Sequence, residues 1–568
     1  MIPRLRQTLF GTVLFTTGCA VQGGEEKGRD WDRFVSGFIE TYFQADPLFA
    51  VYQGRHEFDG RFPDWTEAGL QRWAQRLHQL RDSAAAFPIN GSDAARRVER
   101  EYVVAVLDGD LFWLERAEWP YRNPEYYTGG LDPNVYIARE YAPLQERMRA
   151  FTRYAENLPA ALAQIRANLR TPMPKSYAEI GQGRLSGLAT YLEQDVPGVF
   201  ASVRESAAQR EFRKANAGAV KALREISTWF GEQVKAGTDQ YALGPERFRD
   251  MLRMTEGVDL PLEALEAQGK ADLERNMTAL REACSRFAPG QPIAKCIERV
   301  SSRKPVGGPV RAAQAQLDTL GRFLREKDLV SIPGSEQALV RESPPHQRFN
   351  SAYIDIPGPY EEGLPSIYYI SPPDPSWTAA ERAGYIPGTA DLLFTSVHEV
   401  WPGHFLHFLH SNRAQSKFGQ VFVGYAFAEG WAHYTEEMMW EAGLGEGDPE
   451  VRIGQLSNAL LRNVRYLSAI GLHTKGMTVQ ESEQMLREQA YQDPGNARQQ
   501  AARGTYDPAY LNYTMGKLMI KKLREDWTAT RGDRKAWKQF HDAFLSYGGP
   551  PIPLVRKAML GEGRGPVM

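Results

Sequence analysis

Two histidines and two glutamates in the C-terminal part of the sequence have the types and spacing of a catalytic metal site. His398 and Glu399 are followed by His404, and Glu429 comes 25 residues after His404. Two imidazoles and a carboxylate, with a fourth position left open, are typical ligands of a catalytic zinc ion. A glutamate beside the first histidine is suited to accept a proton from a metal-activated water. The pattern predicts Zn²⁺ held by His398, His404 and Glu429, with Glu399 as the catalytic base.

The spacing of the two histidines requires an interrupted helix. Six residues of a regular helix turn through ~600°, so His404 would point well away from His398. Pro402 lacks an N–H and its ring clashes with the carbonyl group four residues earlier, while Gly403 can adopt angles closed to other residues. We therefore predict a bulge or kink at Pro402, of the kind that recurs at functional sites, that brings both rings towards one point.

Neighbouring histidines leave the exact ligand set open. Four of the ten histidines lie between residues 398 and 410, which makes His407 and His410 competing ligands. His433 follows Glu429 by one helical turn and is predicted either to support a ligand by hydrogen bonding or to bind the metal itself. The alternative interpretation is that the histidines belong to the core and that Glu429 is a carboxylate favoured at a helix N-terminus.

At these positions the sequence resembles a bacterial family known as domain of unknown function 885, whose members are often described as candidate lipoproteins. The family pattern H-E-x-x-P-G-H matches residues 398–404, and its pattern E-G-W-A matches residues 429–432. Two further segments are similar, in residues 465–473 and in residues 513–517. The resemblance extends over most of the chain after the leader.

The resemblance implies a mainly α-helical, zinc-dependent peptidase of the gluzincin type. Its architecture would be distantly similar to thimet oligopeptidase and angiotensin-converting enzyme, with two helical halves flanking a deep cleft and a small β-sheet near the site. The third ligand of that architecture is a glutamate about two dozen residues after the second histidine, which suits Glu429. Two departures from the family pattern, His407 in place of glutamine and His433 in place of leucine, place extra imidazoles near the metal.

Downstream motifs supply candidates for the remaining catalytic and substrate-binding groups. Tyr513 and His473 are predicted donors to the oxyanion of a tetrahedral intermediate, with a packed tyrosine and a core histidine as the alternatives. Arg462 and Arg465 lie three apart on one helix face and are predicted to hold a substrate carboxylate, although surface salt bridges would have the same spacing.

The segment 366–370, SIYYI, is the strongest strand candidate within the β-like residues 349–371. Tyr368 and Tyr369 are predicted to contact substrate, because a strand at a sheet edge can pair with an extended peptide. An ordinary interior strand is the alternative.

Composition and hydrophobic periodicity indicate the class of protein and its division into regions. The 568 residues are 42% hydrophobic and 11% aromatic with a net charge of −2, which excludes wholesale disorder and gives no basic field for nucleic acid. Helical periodicity recurs in residues 70–86, 144–169 and 207–235. We predict an N-terminal helical region over 30–285, a linker over 286–309 and a C-terminal region with the metal site over 310–568.

The N-terminus has the features of an export signal. Residues 1–18 combine two early arginines with a short apolar run, which predicts a signal peptide. Cys19 follows small residues and is predicted to be the lipidated first residue of the mature chain, with 19–29 as a tether. The protein is then expected in the periplasm or cell envelope, and in contact with a membrane only through the anchor. Cys284 and Cys296 are left to form a disulfide or to stay free.

The function predicted from these features is hydrolysis of peptide bonds, of carboxypeptidase or oligopeptidase type. Two alternatives remain open. The same metal site would serve an amidase or esterase, and a catalytically silent lipoprotein would bind peptides or metal without turnover. Retention of Glu399 argues against the silent alternative, since binding alone needs no base. Substrate preference, endo- or exopeptidase action and oligomeric state are not determined by the sequence.

Overall fold

The computed structural model describes residues 19–89, 93–561, 563 and 565–568. The predicted signal peptide, residues 1–18, lies outside this range. Helix α1 begins at Cys19, so the segment expected to be a tether is helical from its first residue. The mainly α-helical fold predicted from the sequence is confirmed. None of the helices within the described range is long and apolar enough to cross a membrane.

Within the described residues, fifteen α-helices precede the β-sheet. They are α1 Cys19–Ala45, α2 Pro47–Tyr52, α3 Glu67–Ala86, α4 Ala94–Leu111, α5 Trp119–Arg122, α6 Glu125–Thr128, α7 Asn134–Ile137, α8 Leu144–Asn168, α9 Lys175–Gln194, α10 Val196–Val199, α11 Ser206–Lys235, α12 Pro245–Glu256, α13 Leu262–Phe287, α14 Ile293–Ser301 and α15 Pro309–Lys327. The three periodic segments of the sequence correspond to α3, α8 and α11.

Helix α3 illustrates why these segments are helical. Thr66 caps its N-terminus by accepting a hydrogen bond from the Gly69 backbone N–H at 3.1 Å. Leu70, Leu77 and Leu80 recur at three- to seven-residue intervals and are all buried, which gives the helix one apolar face. Such faces build a hydrophobic cluster, which consists of residues between Trp31 and Phe230 together with Phe418, Val421 and Phe422.

A small sheet follows the first fifteen helices. Its strands are β1 Ala338–Glu342, β2 Ala352–Asp355 and β3 Ser366–Ile370, in the spatial order β1-β3-β2. Strand β3 is parallel to β1 and antiparallel to β2. The sequence predicted β2 and β3 within residues 349–371 and missed β1.

Eleven α-helices complete the described chain. They are α16 Ala379–Tyr385, α17 Thr389–Glu399, α18 His404–Ser411, α19 Lys417–Val421, α20 Tyr425–Glu441, α21 Pro449–Thr474, α22 Val479–Gln489, α23 Pro494–Tyr506, α24 Asn512–Thr528, α25 Trp537–Leu545 and α26 Ile552–Leu560. Helices α17, α20, α21 and α24 contribute to a second hydrophobic cluster that surrounds the predicted metal ligands.

The segment expected to be a linker, residues 286–309, contains helix α14. The helix is amphipathic, and its buried face includes Cys296, Ile297 and Val300. Cys296 forms a disulfide with Cys284 of α13, twelve residues earlier. The pairing that the sequence left open is therefore present, and it ties α14 to the preceding helix. The domain boundaries themselves stay a prediction.

Removal of this disulfide is expected to destabilise the α13–α14 hairpin. Without the disulfide, a loop of this length is released in the unfolded chain, which lowers the free energy of unfolding by about 3 kcal/mol. The double variant Cys284→Ala/Cys296→Ala should unfold at a lower temperature than the oxidised parent in calorimetry. Reductant should lower the midpoint of the parent and leave the double variant unchanged. Equal midpoints for the oxidised parent and the variant would contradict this expectation.

Candidate metal centre

The two histidines of the motif converge because the helix breaks between them. Helix α17 ends at Glu399 and α18 begins at His404. The imidazole rings lie 4.8 Å apart between centroids and are nearly perpendicular, at 88°. The bulge that the sequence predicts at Pro402 is thus present, and it places His404 beside His398.

Gly403 is required at this turn by a close backbone approach. A Cβ atom on residue 403 would lie 1.7 Å from the carbonyl oxygen of His398, so no side chain fits there. The Gly403 N–H donates to the carbonyl of Val397 at 3.0 Å. The indole N–H of Trp431 donates to the carbonyl of Pro402 at 2.8 Å, which fixes the turn against helix α20.

Helix α20 brings Glu429 to the histidine pair. Its Oε2 atom lies 3.2 Å from Nε2 of His398 and 3.2 Å from Nε2 of His404. One ligand atom of each residue lies within 4.8 Å of the others. Two ligands of a tetrahedral zinc ion, each ~2.1 Å from the metal, stand ~3.4 Å apart, so the two distances of 3.2 Å from Glu429 are close to the spacing that zinc requires. Among the described residues, these three form the group that could hold a metal.

A buried carboxylate orients the first histidine. Nδ1 of His398 lies 2.8 Å from Oε1 of Glu436, and Arg462 pairs with the same oxygen at 3.1 Å. A proton on Nδ1 that is donated to Glu436 leaves the lone pair of Nε2 directed towards Glu429 and His404. No role is assigned to Glu436 from the sequence, and its side chain is fully buried beside His398. The missed signal is its position two helical turns after Glu429 in an apolar segment.

The charges within the cluster shift the pKa values of its acidic and basic groups. Although burial opposes the shift, His404 and His398 hold the pKa of Glu429 well below its ordinary value. Burial and the charge of Arg462 lower the pKa of His398, but the hydrogen bonds to Glu429 and Glu436 outweigh them and raise it overall. The cluster therefore keeps an anionic oxygen among its nitrogen donors.

Glu399 lies at the end of α17 as a separate carboxylate. Its side chain is buried and makes no hydrogen bond to any residue in the described part of the chain. Burial raises the pKa of Glu399, an effect that His398 and His404 reduce. A carboxylate without a structural partner beside the cluster has the arrangement that a general base needs.

Tyr513 lies next to the cluster, as the sequence predicts. Its ring stacks on that of His398 with 6.0 Å between centroids and 17° between planes. The Tyr513 hydroxyl accepts a hydrogen bond from Arg503 at 3.3 Å, so its own proton remains available. Tyr513 reaches the cluster because its helix, α24, packs closely against α20. The two helices touch at glycines, since a Cβ atom on Gly430 would lie 2.5 Å from Cα of Gly516.

His473 does not belong to the site, and its predicted role as an oxyanion donor is wrong. Its Nε2 contacts the carbonyl of Gly504 at 2.7 Å, and its Nδ1 accepts from the N–H of Leu243 at 3.3 Å. Both ring nitrogens are therefore engaged with backbone groups. Burial lowers the pKa of His473 to about 4, as expected for a neutral core histidine.

The competing histidines are also occupied away from the cluster. Nε2 of His407 contacts the carbonyl of Gly548 at 2.7 Å, and Nε2 of His410 contacts that of Ser331 at 2.8 Å. His433 is fully buried and lies 3.4 Å from Oε2 of Glu436, on the far side of the carboxylate that orients His398. Neither His407 nor His433 joins the group that could hold a metal.

Three residues predicted to contact substrate have partners within the fold. Strand β3 has neighbours on both sides, so Tyr368 and Tyr369 cannot take part in pairing at a sheet edge. Tyr368 is fully buried, and Tyr369 stacks on Tyr353 with 4.9 Å between centroids. Arg462 is held by Glu436 and by the carbonyl of Asn458 at 2.9 Å, which makes it a residue that positions the cluster rather than a free cation.

A cavity of about 720 Å³ lies between the N-terminal helices and strand β2. Aromatic side chains such as Trp73, Trp113 and Tyr353 line it, together with carboxylates such as Asp46 and Asp110. None of the three clustered ligand residues lines this cavity. The size of the cavity alone therefore does not identify the chemical site, which the donor geometry defines.

The chain matches a family of bacterial proteins and is similar to solved structures of two bacterial proteins. The family described as "Bacterial protein of unknown function (DUF885)" matches residues 47–559. A candidate lipoprotein of unknown function from Shewanella oneidensis is 24% identical with a TM-score of 0.73, over 93% of this chain and 99% of that one. A candidate lipoprotein from Colwellia psychrerythraea is 15% identical with a TM-score of 0.77, over 94% of this chain and 98% of that one. At these identities the two structures show a shared fold.

A third solved structure has a much lower TM-score than these two. A carboxypeptidase from Pyrococcus furiosus is 11% identical over 68% of this chain and 94% of that one, and its TM-score of 0.26 carries no argument. No curated protein matches the chain.

Replacement of Gly403 is expected to disrupt the turn. In Gly403→Ala the new methyl group meets a backbone oxygen that cannot move without displacing α17, so we expect a loss of about 2–3 kcal/mol of stability. Gly183→Ala in α9 is the matched control, because no atom lies within 4 Å of its added Cβ. The control should gain about 0.5–1 kcal/mol. Thermal unfolding measures both, and an unchanged midpoint for Gly403→Ala would refute the tight contact.

Proposed function

This chain belongs to the DUF885 family of bacterial proteins of unknown function, and we propose that it is a zinc-dependent peptidase. In the proposal His398, His404 and Glu429 hold the metal, and Glu399 is the general base. The single observation that carries the proposal is the convergence of Nε2 of both histidines on one carboxylate oxygen of Glu429, at 3.2 Å each.

The surroundings of the cluster support zinc as the metal. Two imidazoles and one carboxylate are a common catalytic set for zinc, with room for a fourth ligand. The hydrogen bond between His398 and Glu436 is the support that metal-ligating histidines generally have. The side chains of His404 and Glu429 are 12% and 18% exposed to solvent, so the cluster is open to a small ligand on one side.

The residues around the metal would then divide the work of hydrolysis. When bound, zinc lowers the pKa of a coordinated water towards ~7 and polarises a substrate carbonyl. Glu399 would accept a proton from the attacking water and deliver it to the departing amine. Tyr513 keeps its proton, because burial raises the pKa of its hydroxyl, and donates a hydrogen bond to the developing oxyanion. Arg503 holds the Tyr513 hydroxyl in place.

The proposal extends to architecture and location. We propose that two helical halves flank a deep cleft in the manner of gluzincin peptidases, a view that the presence of two large hydrophobic clusters supports. We also propose export and lipidation at Cys19. The lipoprotein descriptions of the two structural relatives and the Cys284–Cys296 disulfide favour an oxidising compartment such as the periplasm.

Glu399→Gln tests the assignment of the base. The variant should retain one zinc ion per chain by metal analysis and lose peptide hydrolysis by about 100- to 10,000-fold, because the amide cannot accept the proton. Glu57→Gln is the matched control, since Glu57 also follows a histidine but its side chain is 56% exposed on the surface. The control should keep both zinc and activity.

The outcomes separate the alternative functions. Absence of zinc from the parent protein would remove the peptidase proposal. Zinc without hydrolysis of any peptide in a panel of free and blocked substrates would favour a binding lipoprotein. Hydrolysis of simple amides or esters but not of peptides would favour an amidase or esterase on the same site.

Glu436→Gln tests the support of His398. An amide donates through nitrogen and accepts weakly, so His398 loses its anionic partner, and zinc affinity should fall about 10- to 100-fold. Glu437→Gln is the control, because Glu437 is a neighbouring buried carboxylate whose ion pairs within the described residues are with Arg275, Lys517 and Lys521. Competition with a fluorescent chelator measures both affinities. Equal affinities would show that Glu436 has only a structural role.

A further inference from the structure

Three arginines surround the ring of Tyr513 beside the metal-binding cluster. The guanidinium carbons of Arg462, Arg465 and Arg503 lie 5.8, 4.9 and 5.6 Å from its centroid. Two of these cations have carboxylate partners. Arg462 pairs with Glu436 at 3.1 Å, and Arg503 pairs with Asp507 at 2.8 Å.

Arg465 is the exception. Its side chain is buried, with 4% of the residue exposed, and it forms no ion pair with any residue in the described part of the chain. Burial and the neighbouring charges of Arg503 and Arg462 lower the pKa of Arg465 to about 10. A buried charge is costly unless it is paired, so a cation kept in this state points to an anion that arrives from outside.

The terminal nitrogens of Arg465 make no hydrogen bond to the part of the chain that the structure describes. Nε donates to Oε1 of Gln500 at 2.9 Å, which fixes the plane of the guanidinium group. The ring of Tyr513 supports one face of that plane. The two terminal nitrogens then form a fork that matches the two oxygens of a carboxylate.

The position of Arg465 relates this fork to the cleavage site. Its guanidinium carbon is 4.9 Å from the Tyr513 centroid, which is 6.0 Å from the His398 centroid, so it lies no more than about 11 Å from the His398 ring. Hydrogen bonding or coordination takes up ~3 Å at each end. This leaves at most about 5 Å, and because an extended peptide advances ~3.3–3.6 Å per residue, the remaining span holds about one residue.

We propose that Arg465 binds the C-terminal carboxylate of a peptide substrate, so that this protein is a carboxypeptidase that releases one residue at a time. The inference rests on the proposed peptidase function. Hydrolysis consumes one water and yields a shortened peptide and a free amino acid. Arg503 and Gln500 are positioning residues, because the first holds Tyr513 and the second holds Arg465.

Binding measured in the Glu399→Gln background tests the inference without turnover. The probes are the dansyl-labelled tetrapeptide dansyl-Ala-Ala-Ala-Phe with a free carboxylate and the same peptide as its C-terminal amide. The zinc-loaded protein should bind the acid about 10- to 100-fold more tightly than the amide. Arg465→Gln and Arg465→Met should abolish this preference, and Arg465→Lys should restore part of it.

Matched measurements distinguish recognition from a structural role. Removal of an unpaired buried charge should leave the thermal midpoint of Arg465→Met equal to or above that of the parent. Arg498→Gln is the control, because Arg498 lies on α23 and pairs with Glu381 at the surface. It should not change the preference for the acid. A large loss of stability in Arg465→Met with the preference retained in Arg465→Lys and Arg465→Gln would overturn the proposal.

Further arms identify the source of the carboxylate and keep the two proposals separate. Two amidated peptides that differ only by glutamate or glutamine at the third position should bind equally, and tighter binding of the glutamate peptide would overturn the assignment to the C-terminus. Hydrolysis of acid and amide peptides at equal rates by the parent would refute this inference and leave the peptidase function intact. Arg465-dependent binding of the acid without any hydrolysis would support the subsite and refute the peptidase function.

Discussion

A contact between two stretches of backbone determines the geometry of the cluster formed by His398, His404 and Glu429. The chain after α17 turns so tightly that Gly403 lies against the carbonyl of His398, where no Cβ atom fits. This contact places His404 beside His398 despite the six residues that separate them. Trp431 donates to the carbonyl of Pro402, so the same turn is fixed to the helix that carries Glu429. The indole that follows Glu429 in the sequence thus sets the distance between two parts of the cluster.

The distribution of buried charge gives the site its chemical character. Glu429 and Glu436 place two anions within reach of His398, one towards the predicted metal and one towards Arg462. Each of these groups is compensated by a neighbour, as low-dielectric surroundings require. Arg465 has no such neighbour among the described residues. An uncompensated cation reduces stability, and such strain is characteristic of binding sites that a ligand completes.

Much of the helical framework and the principal cluster could be read from the sequence. Apolar residues at helical spacing predicted α3, α8 and α11, because the period of a helix is a local property of the chain. Pro402 and Gly403 predicted the interruption between α17 and α18, since both residues act on their own backbone. The types of His398, His404 and Glu429 predicted their grouping, because a buried carboxylate near two imidazoles has few other satisfactory partners. Family membership follows from the same residues and from the match over 47–559.

The tertiary structure decided which of the chemically similar candidates take part. Arg462 and Arg465 lie on one face of α21, yet only the packing of α20 shows that Glu436 reaches the first and not the second. The sequence around His473 is compatible with a catalytic histidine. In the structure, however, both ring nitrogens of His473 contact backbone groups of residues 243 and 504. Strand β3 became an interior strand because β1, which the sequence did not reveal, pairs with it. Local sequence fixes where a side chain points on its own helix or strand, whereas its partners come from segments tens to hundreds of residues away.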